Sequence, residues 1–188
     1  MMKKGTILAV IVIALVVILG ISLISGYNTL VTLEADVEAA YSNMDVYMQR
    51  RADLIPNLVN TVKGYAAHEQ EAITAVTEAR AKLTGATTAE ETAAADAELS
   101  SALSRLLVVV ENYPELKASA NFTQLADELA GTENRIAVAR KDYNEIVTKF
   151  NTNIRRFPNS LLAGVFGFEK KPLFAAVDGA QNVPNVEF

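Results

Sequence analysis

The stretch RRADLIPNLVNTVKGYAAHEQ, Arg50 to Gln70, decides how this chain folds. Helix-forming residues run on both sides of it, yet it holds two adjacent arginines, a carboxylate, a proline, a glycine and the chain's single histidine. Read as a corner, it gives its residues clear tasks. Arg50 and Arg51 complement the negative end of a preceding helix dipole. Asp53 caps the following helix, and Pro56 sits in a first turn, where its missing N–H would be unpaired anyway. Read as helix interior, Pro56 costs roughly 3 kcal/mol. Apolar positions stay nearly in phase through Ile55, so spacing alone leaves both readings open. The reversal is expected, because a lone helix of about 80 Å, at 1.5 Å per residue, would leave half its apolar stripe without a partner.

Upstream of this stretch, Leu30, Leu33, Val37, Ala40, Met44 and Met48 alternate steps of three and four, a helical stripe of coiled-coil-like period. Downstream, a second stripe runs through Leu58, Val62, Ala66, Ile73, Val76 and Leu83 to the small-residue turn TGATT. The alanine-rich AEETAAADAELSSA then reads as a solvated helix start. A third stripe, Leu99, Leu103, Leu106 and Val110, closes at ENYPELK, where Pro114 disfavours helical geometry at Tyr113. The fourth is the most regular: Phe122, Leu125, Leu129, Ile136, Ala139, Tyr143, Ile146, Phe150 and Ile154, with Asn121 and Gln124 as a variant capping box. With a corner at Arg50–Pro56 these stripes make helices of about 25 to 37 residues, similar enough to pack side by side. The expected fold is all-α: a single N-terminal transmembrane helix followed by an antiparallel four-helix up-and-down bundle of long helices.

The transmembrane expectation rests on Thr6–Gly26, TILAVIVIALVVILGISLISG, which carries no charge. About 20 residues at 1.5 Å each span the roughly 30 Å hydrocarbon layer. A cleaved signal peptide would carry an h-region of about 7 to 15 residues and an A-x-A-like site, and neither is present. Lys3 and Lys4 precede the run, whereas Glu34, Asp36 and Glu38 follow it and no basic residue comes before Arg50. The positive-inside rule places the N-terminus in the cytoplasm and the main domain on the extracytoplasmic side of the cell (inner) membrane.

Composition agrees with a helical protein of one core: 188 residues, 51% apolar, no Trp and nine Gly. Net charge is −5, and −7 once Lys3 and Lys4 are set aside, which argues against nucleic acid as a partner. The absence of cysteine excludes disulfides, thiol catalysis and Cys-type metal sites. Beyond Phe157 the character changes: the segment holds three of the five prolines and is too apolar for a disordered tail. It must pack on its own bundle, on another copy or on the membrane surface. The chain therefore divides into an N-terminal segment with transmembrane helix (1–26), a helical bundle (27–157) and an apolar tail (158–188).

DVYMQRRADLIPNLVNTVKGYAAHE closely resembles the most diagnostic block of the LemA family of bacterial membrane-anchored proteins. So do ENYPELKASANF, GTENRIAVARKDYNEIVTKFN and FPNSLLAGVFGFEKKPLF, so the likeness runs from Tyr27 to Phe174, with a looser match after it. The resemblance implies a membrane helix followed by a four-helix bundle in the cell envelope, no established enzymatic activity, and an accessory or scaffold role, with one branch serving magnetosome membranes. It also implies suspected partners: an HtpX-like membrane metalloprotease or a TPM-domain protein.

No catalytic constellation stands out. His68 with Glu69 evokes a zinc-binding HExxH helix, but the fifth residue is Ala72 and there is no second histidine. No G-x-S-x-G elbow, Walker loop or G-x-G-x-x-G turn occurs. No catalytic residue, metal ligand or cofactor is expected. Arg50, Arg51, Asp53 and Asn57, with Pro56 among them, are a candidate partner-binding knob, unless they serve only to end one helix and begin the next. Tyr113, Phe157, Phe166, Phe168 and Phe174 complete the candidate interaction residues. Glu133 and Arg140 lie seven apart, and Asn144 and Asn151 repeat that step beside the apolar stripe, a placement that suits fixing register. The expected function is a non-catalytic scaffold or adaptor that self-associates. The alternatives are an enzyme with an acid or base near Asp53, His68 and Glu69, or a lipid-binding, membrane-remodelling protein.

Overall fold

The computed structural model describes residues 4–174, all helix and connections, with no strand among them. The helices are α1 (Lys4–Tyr65), α2 (Gln70–Gly85), α3 (Ala89–Val110), α4 (Pro114–Lys117), α5 (Ala120–Asn153) and α6 (Asn159–Phe166).

Arg50–Pro56 is not a corner. α1 runs uninterrupted for 62 residues with Pro56 inside it, and the chain turns later, at 66–69. The apolar spacing explains why. Steps of three and four continue past Met48 through Arg51, Ile55, Leu58 and Val62, and all five of these side chains are buried. Proline leaves the carbonyl four residues before it without its helical donor. That carbonyl belongs to Ala52, and Arg80 of α2 donates its Nε–H to it at 2.7 Å. A side chain from the next helix thus satisfies the group that proline orphans. The helices are correspondingly unequal, with 62, 16, 22 and 34 residues in α1, α2, α3 and α5, rather than four of similar length.

The described chain packs as two units, one taking α1 up to Ala39 with Glu145–Lys171, the other taking Ala40–Asn144 with 172–174. In the first, Leu30, Leu33 and Val37 of α1, Val147, Phe150 and Ile154, and Leu162 and Ala163 of α6 are buried. Val147 replaces the expected Ile146 in the stripe, which is only half-buried. Asn151 fastens the extended segment after α6: its Nδ2 donates to the Lys171 carbonyl (2.8 Å) and its Oδ1 accepts from the Lys171 N–H (2.9 Å). Lys171 Nζ pairs with Glu34 at 2.6 Å. The apolar run of α1 stands bare, with only 6% of its most apolar window buried.

In the second unit the buried large side chains include Met44, Met48, Ile55, Leu58, Leu99, Leu106, Leu116 and Ile136. α3 begins at a full capping box between Thr88 and Glu91. Hydrogen bonds from Thr87 and Thr88 hold the Glu91 carboxylate below its ordinary pKa. Pro114 opens α4 in its first turn, as its missing N–H allows. α5 begins at Ala120, where Ser119 Oγ accepts from the Phe122 N–H (3.4 Å), so the cap is Ser119 and not Asn121. The alanine-rich start of α3 is not wholly solvated, because Thr92 and Asp96 are buried. Asn144 repeats the Asn151 device on Phe174, with bonds of 3.0 and 2.8 Å. Of the tail's apolar residues, Val177, Val183, Val186 and Phe188 lie outside the described residues.

Candidate functional site

Of the expected knob, Arg51 points inward. It is 4% exposed, and its Nη1 lies 2.6 Å from Asp96 Oδ1, which is itself 1% exposed. Arg51 Nη2 donates to Ser100 Oγ (3.0 Å), and Arg140 of α5 reaches the other Asp96 oxygen at 2.7 Å. Glu133 approaches Arg51 Nη1 at 2.9 Å as an ion pair without hydrogen-bond geometry. Two positive and two negative groups from α1, α3 and α5 thus balance one another. Arg51 and Asp96 are buried, and burial of such charges is tolerated only with this pairing, whereas the Glu133 side chain is 43% exposed. Arg140 also stacks over the Phe174 ring, 5.0 Å from its centroid. A second polar contact lies beside the network: Tyr41 Oη and Thr92 Oγ1 are 3.1 Å apart, and the Tyr41 ring meets Tyr143 edge-on at 5.9 Å. Burial, and then Tyr41, push the Tyr143 pKa up, and its hydroxyl donates to the Pro172 carbonyl at 3.0 Å.

Arg50, Asp53 and Asn57 do share a surface. With Asn60, Asn121 and Gln124 they line a groove of about 670 Å³ between α1 and α5. A neighbouring hollow of about 1070 Å³ is lined by Val46, Tyr47, Thr123, Asp127, Gly131 and Arg135, and both include Arg50 and Glu128. Arg50 and Glu128 pair at 3.0 Å as solvent-exposed partners, and Gln49 donates to Asp53 at 3.0 Å. Pro56 is exposed on α1. The surface mixes both charges with amides, which suits polar recognition of another chain.

The remaining candidates are dispersed. Tyr113 donates its hydroxyl to Glu69 at 2.8 Å, and that bond raises the Tyr113 pKa. His68 lies exposed in the α1–α2 turn. Among the described residues no group of three or more His, Cys, Asp or Glu is placed to hold a metal ion. Phe174 is buried, whereas Phe166 and Phe168 gather around Tyr27, with centroids 4.7 and 5.9 Å from it, and Phe157 is 81% exposed. Asp96 and Arg80 were not singled out from the sequence. A signal for Asp96 existed: the third stripe, run backwards from Leu99 in the same alternating steps, lands on Asp96 and Thr92.

The LemA family's sequence profile matches residues 40–188 of this chain. The chain belongs to the LemA family. It is 30% identical over 179 residues to magnetosome protein MamQ 2 of Paramagnetospirillum magneticum, covering 81% of this chain and 66% of the relative. It is 28% identical to magnetosome protein MamQ of Magnetospirillum gryphiswaldense over the same shares, and 26% identical to protein LemA of Metamycoplasma hominis over 79% of this chain and 68% of that one. The chain thus spans about two thirds of the magnetosome relatives' length. Residues 45–69 and 131–151, two of the blocks that resemble LemA proteins, supply Arg51, Glu133 and Arg140 to the ion network. The bare apolar run and the LemA fold together describe a membrane-associated helical protein.

Proposed function

We propose that this LemA-family chain is a single-pass, membrane-anchored scaffold of the bacterial cell envelope that works by self-association and not by catalysis. The observation that carries the reading is α1 itself. One uninterrupted helix holds both the exposed apolar run and, further on, the buried Arg51 that organises the ion network. An anchor continuous with a core element suits a protein whose task is to hold a surface at a membrane. The groove beside the Arg50–Glu128 pair is the surface offered, to another copy or to an envelope partner such as the membrane metalloprotease or TPM-domain protein that the family resemblance implies. Relatives named as magnetosome proteins support a place in an organised membrane compartment. The bundle lies on the extracytoplasmic side of the inner membrane, since Lys3 and Lys4 precede the span.

Lysine-directed crosslinking in native membranes, read by mass spectrometry, tests this. Links between copies, with light scattering of the detergent-solubilised chain giving a multiple of the monomer mass, are expected. Monomer mass together with no link to any other copy overturns self-association.

A further inference from the structure

α6 is strongly apolar beyond its first two residues. Its sequence, NSLLAGVF, has no charge and only Asn159 and Ser160 as polar residues, so its apolar side chains extend beyond the one face that is covered. One side is covered: Leu162 and Ala163 are buried, and the helix lies so close to α1 that a Cβ at Gly26 would sit 2.5 Å from Asn159 Oδ1 and 3.0 Å from Leu162 Cδ1. The other side is bare. Leu161 and Val165, one turn apart, are 59% and 77% exposed, Phe166 is 57% exposed beside Tyr27, and Phe157, in the turn just before α6, is 81% exposed.

The position of this bare face names its occupant. Gly26 ends the apolar run Thr6–Gly26, before the polar Asn28, Thr29 and Thr32 and the first charge at Glu34, and that run at 1.5 Å per residue is about the thickness of the hydrocarbon layer, so α6 stands at the level where the bilayer ends. Tyrosine is enriched at that level in membrane proteins, and here Tyr27 stands next to Gly26 with the Phe166 and Phe168 rings against its own. Exposed Arg155 and Arg156 precede the face and exposed Glu169 and Lys170 follow it, so the charge flanking it is net positive, as fits phosphate headgroups.

We propose that α6, with Phe157, Leu161, Val165 and Phe166, lies in the surface of a phospholipid bilayer, where it fixes the depth of α1. The inference rests on α1 being the membrane anchor. A free helix of eight residues would bind lipid weakly, but here the anchor supplies the attachment and α6 supplies the position.

The chain has no tryptophan, so each single substitution reports on one place. Full-length Val165→Trp, Ile13→Trp and Val46→Trp chains are reconstituted in phosphatidylcholine–phosphatidylglycerol vesicles with lipids brominated high or deep on the acyl chain. Val165→Trp loses roughly half or more of its emission to the high bromines and little to the deep ones, as an interfacial helix about 5 to 10 Å into the boundary should. Ile13→Trp is quenched by the deep bromines and Val46→Trp by neither. If Ile13→Trp is quenched but Val165→Trp instead emits as in water, or is shielded from aqueous iodide only when copies associate, the bilayer is not what covers α6. If Ile13→Trp itself escapes quenching, the anchor reading falls with it.

Discussion

Asp96 joins the two arginines of the inner network, because its two oxygens serve Arg51 and Arg140 separately. Removing one member of a buried ion set leaves the others unpaired, which costs about 3 to 5 kcal/mol. Asp96→Ala should therefore lower unfolding free energy by that amount in denaturant titrations, far more than Glu128→Ala, whose exposed pair with Arg50 is worth about 0 to 1 kcal/mol. Equal losses would refute the assignment of the inner network as the stabilising one. Pro56 offers a sharper test of how α1 stays continuous. If Arg80 replaces the donor that proline lacks, Arg80→Met should cost about 1 to 3 kcal/mol by stranding the Ala52 carbonyl. In a Pro56→Ala background the new N–H can serve that carbonyl, and the same substitution should cost distinctly less. A double-mutant cycle with coupling within about 0.3 to 0.5 kcal/mol of zero would show that the two residues act independently.

The elements were legible to different degrees, for physical reasons. Every position of the first stripe is buried, since spacing of three and four is what a helix face requires. The corner was misplaced because Arg50, Arg51, Asp53 and Pro56 suit a helix boundary one at a time. What overrides those local preferences is tertiary: Arg51 meets Asp96, Arg50 meets Glu128, and Arg80 reaches back to Ala52. Of the candidate site, Arg50, Asp53 and Asn57 line one groove, yet nothing local to Arg51 tells a surface arginine from one whose partner lies 45 residues away. The sequence placement of Asn144 and Asn151 suits fixing helix register; their amides instead fasten the extended segment after α6, by bonding both backbone groups of Phe174 and of Lys171. The start of α3 carries a pH prediction. Because the folded Glu91 carboxyl titrates below its ordinary value of 4.5, its capping bonds stabilise the fold fully above that pH and lose effect as pH falls through the lower, folded value. Glu91→Gln should melt earlier than the native chain at neutral pH, with the gap closing on acidification below 4.5. A gap that stays constant would show that the charge of Glu91 is not what holds the cap.

At the scale of the whole molecule, the proposed orientation rests on how charge is distributed along the chain. Lys3 and Lys4 are the basic residues on one side of the apolar run, and on the other side none comes before Arg50. Positive residues close to a span are retained in the cytoplasm, whereas carboxylates count for little, so orientation turns on these two lysines. The absence of cysteine allows a direct measurement, since any label reports an introduced residue alone. In whole, wall-stripped cells an impermeant maleimide should reach Lys63→Cys, which is exposed near the end of α1, and should reach Met2→Cys only after lysis. Exchanging the bias, with Lys3 and Lys4 to Gln and the exposed Asp36 and Glu38 to Lys, should move labelling of the Lys63→Cys variant toward the lysed sample. Protection of Lys63→Cys in the otherwise native chain, with labelling of Met2→Cys before lysis, would place the bundle in the cytoplasm. An envelope scaffold would then have to be replaced by one that works on the inner face.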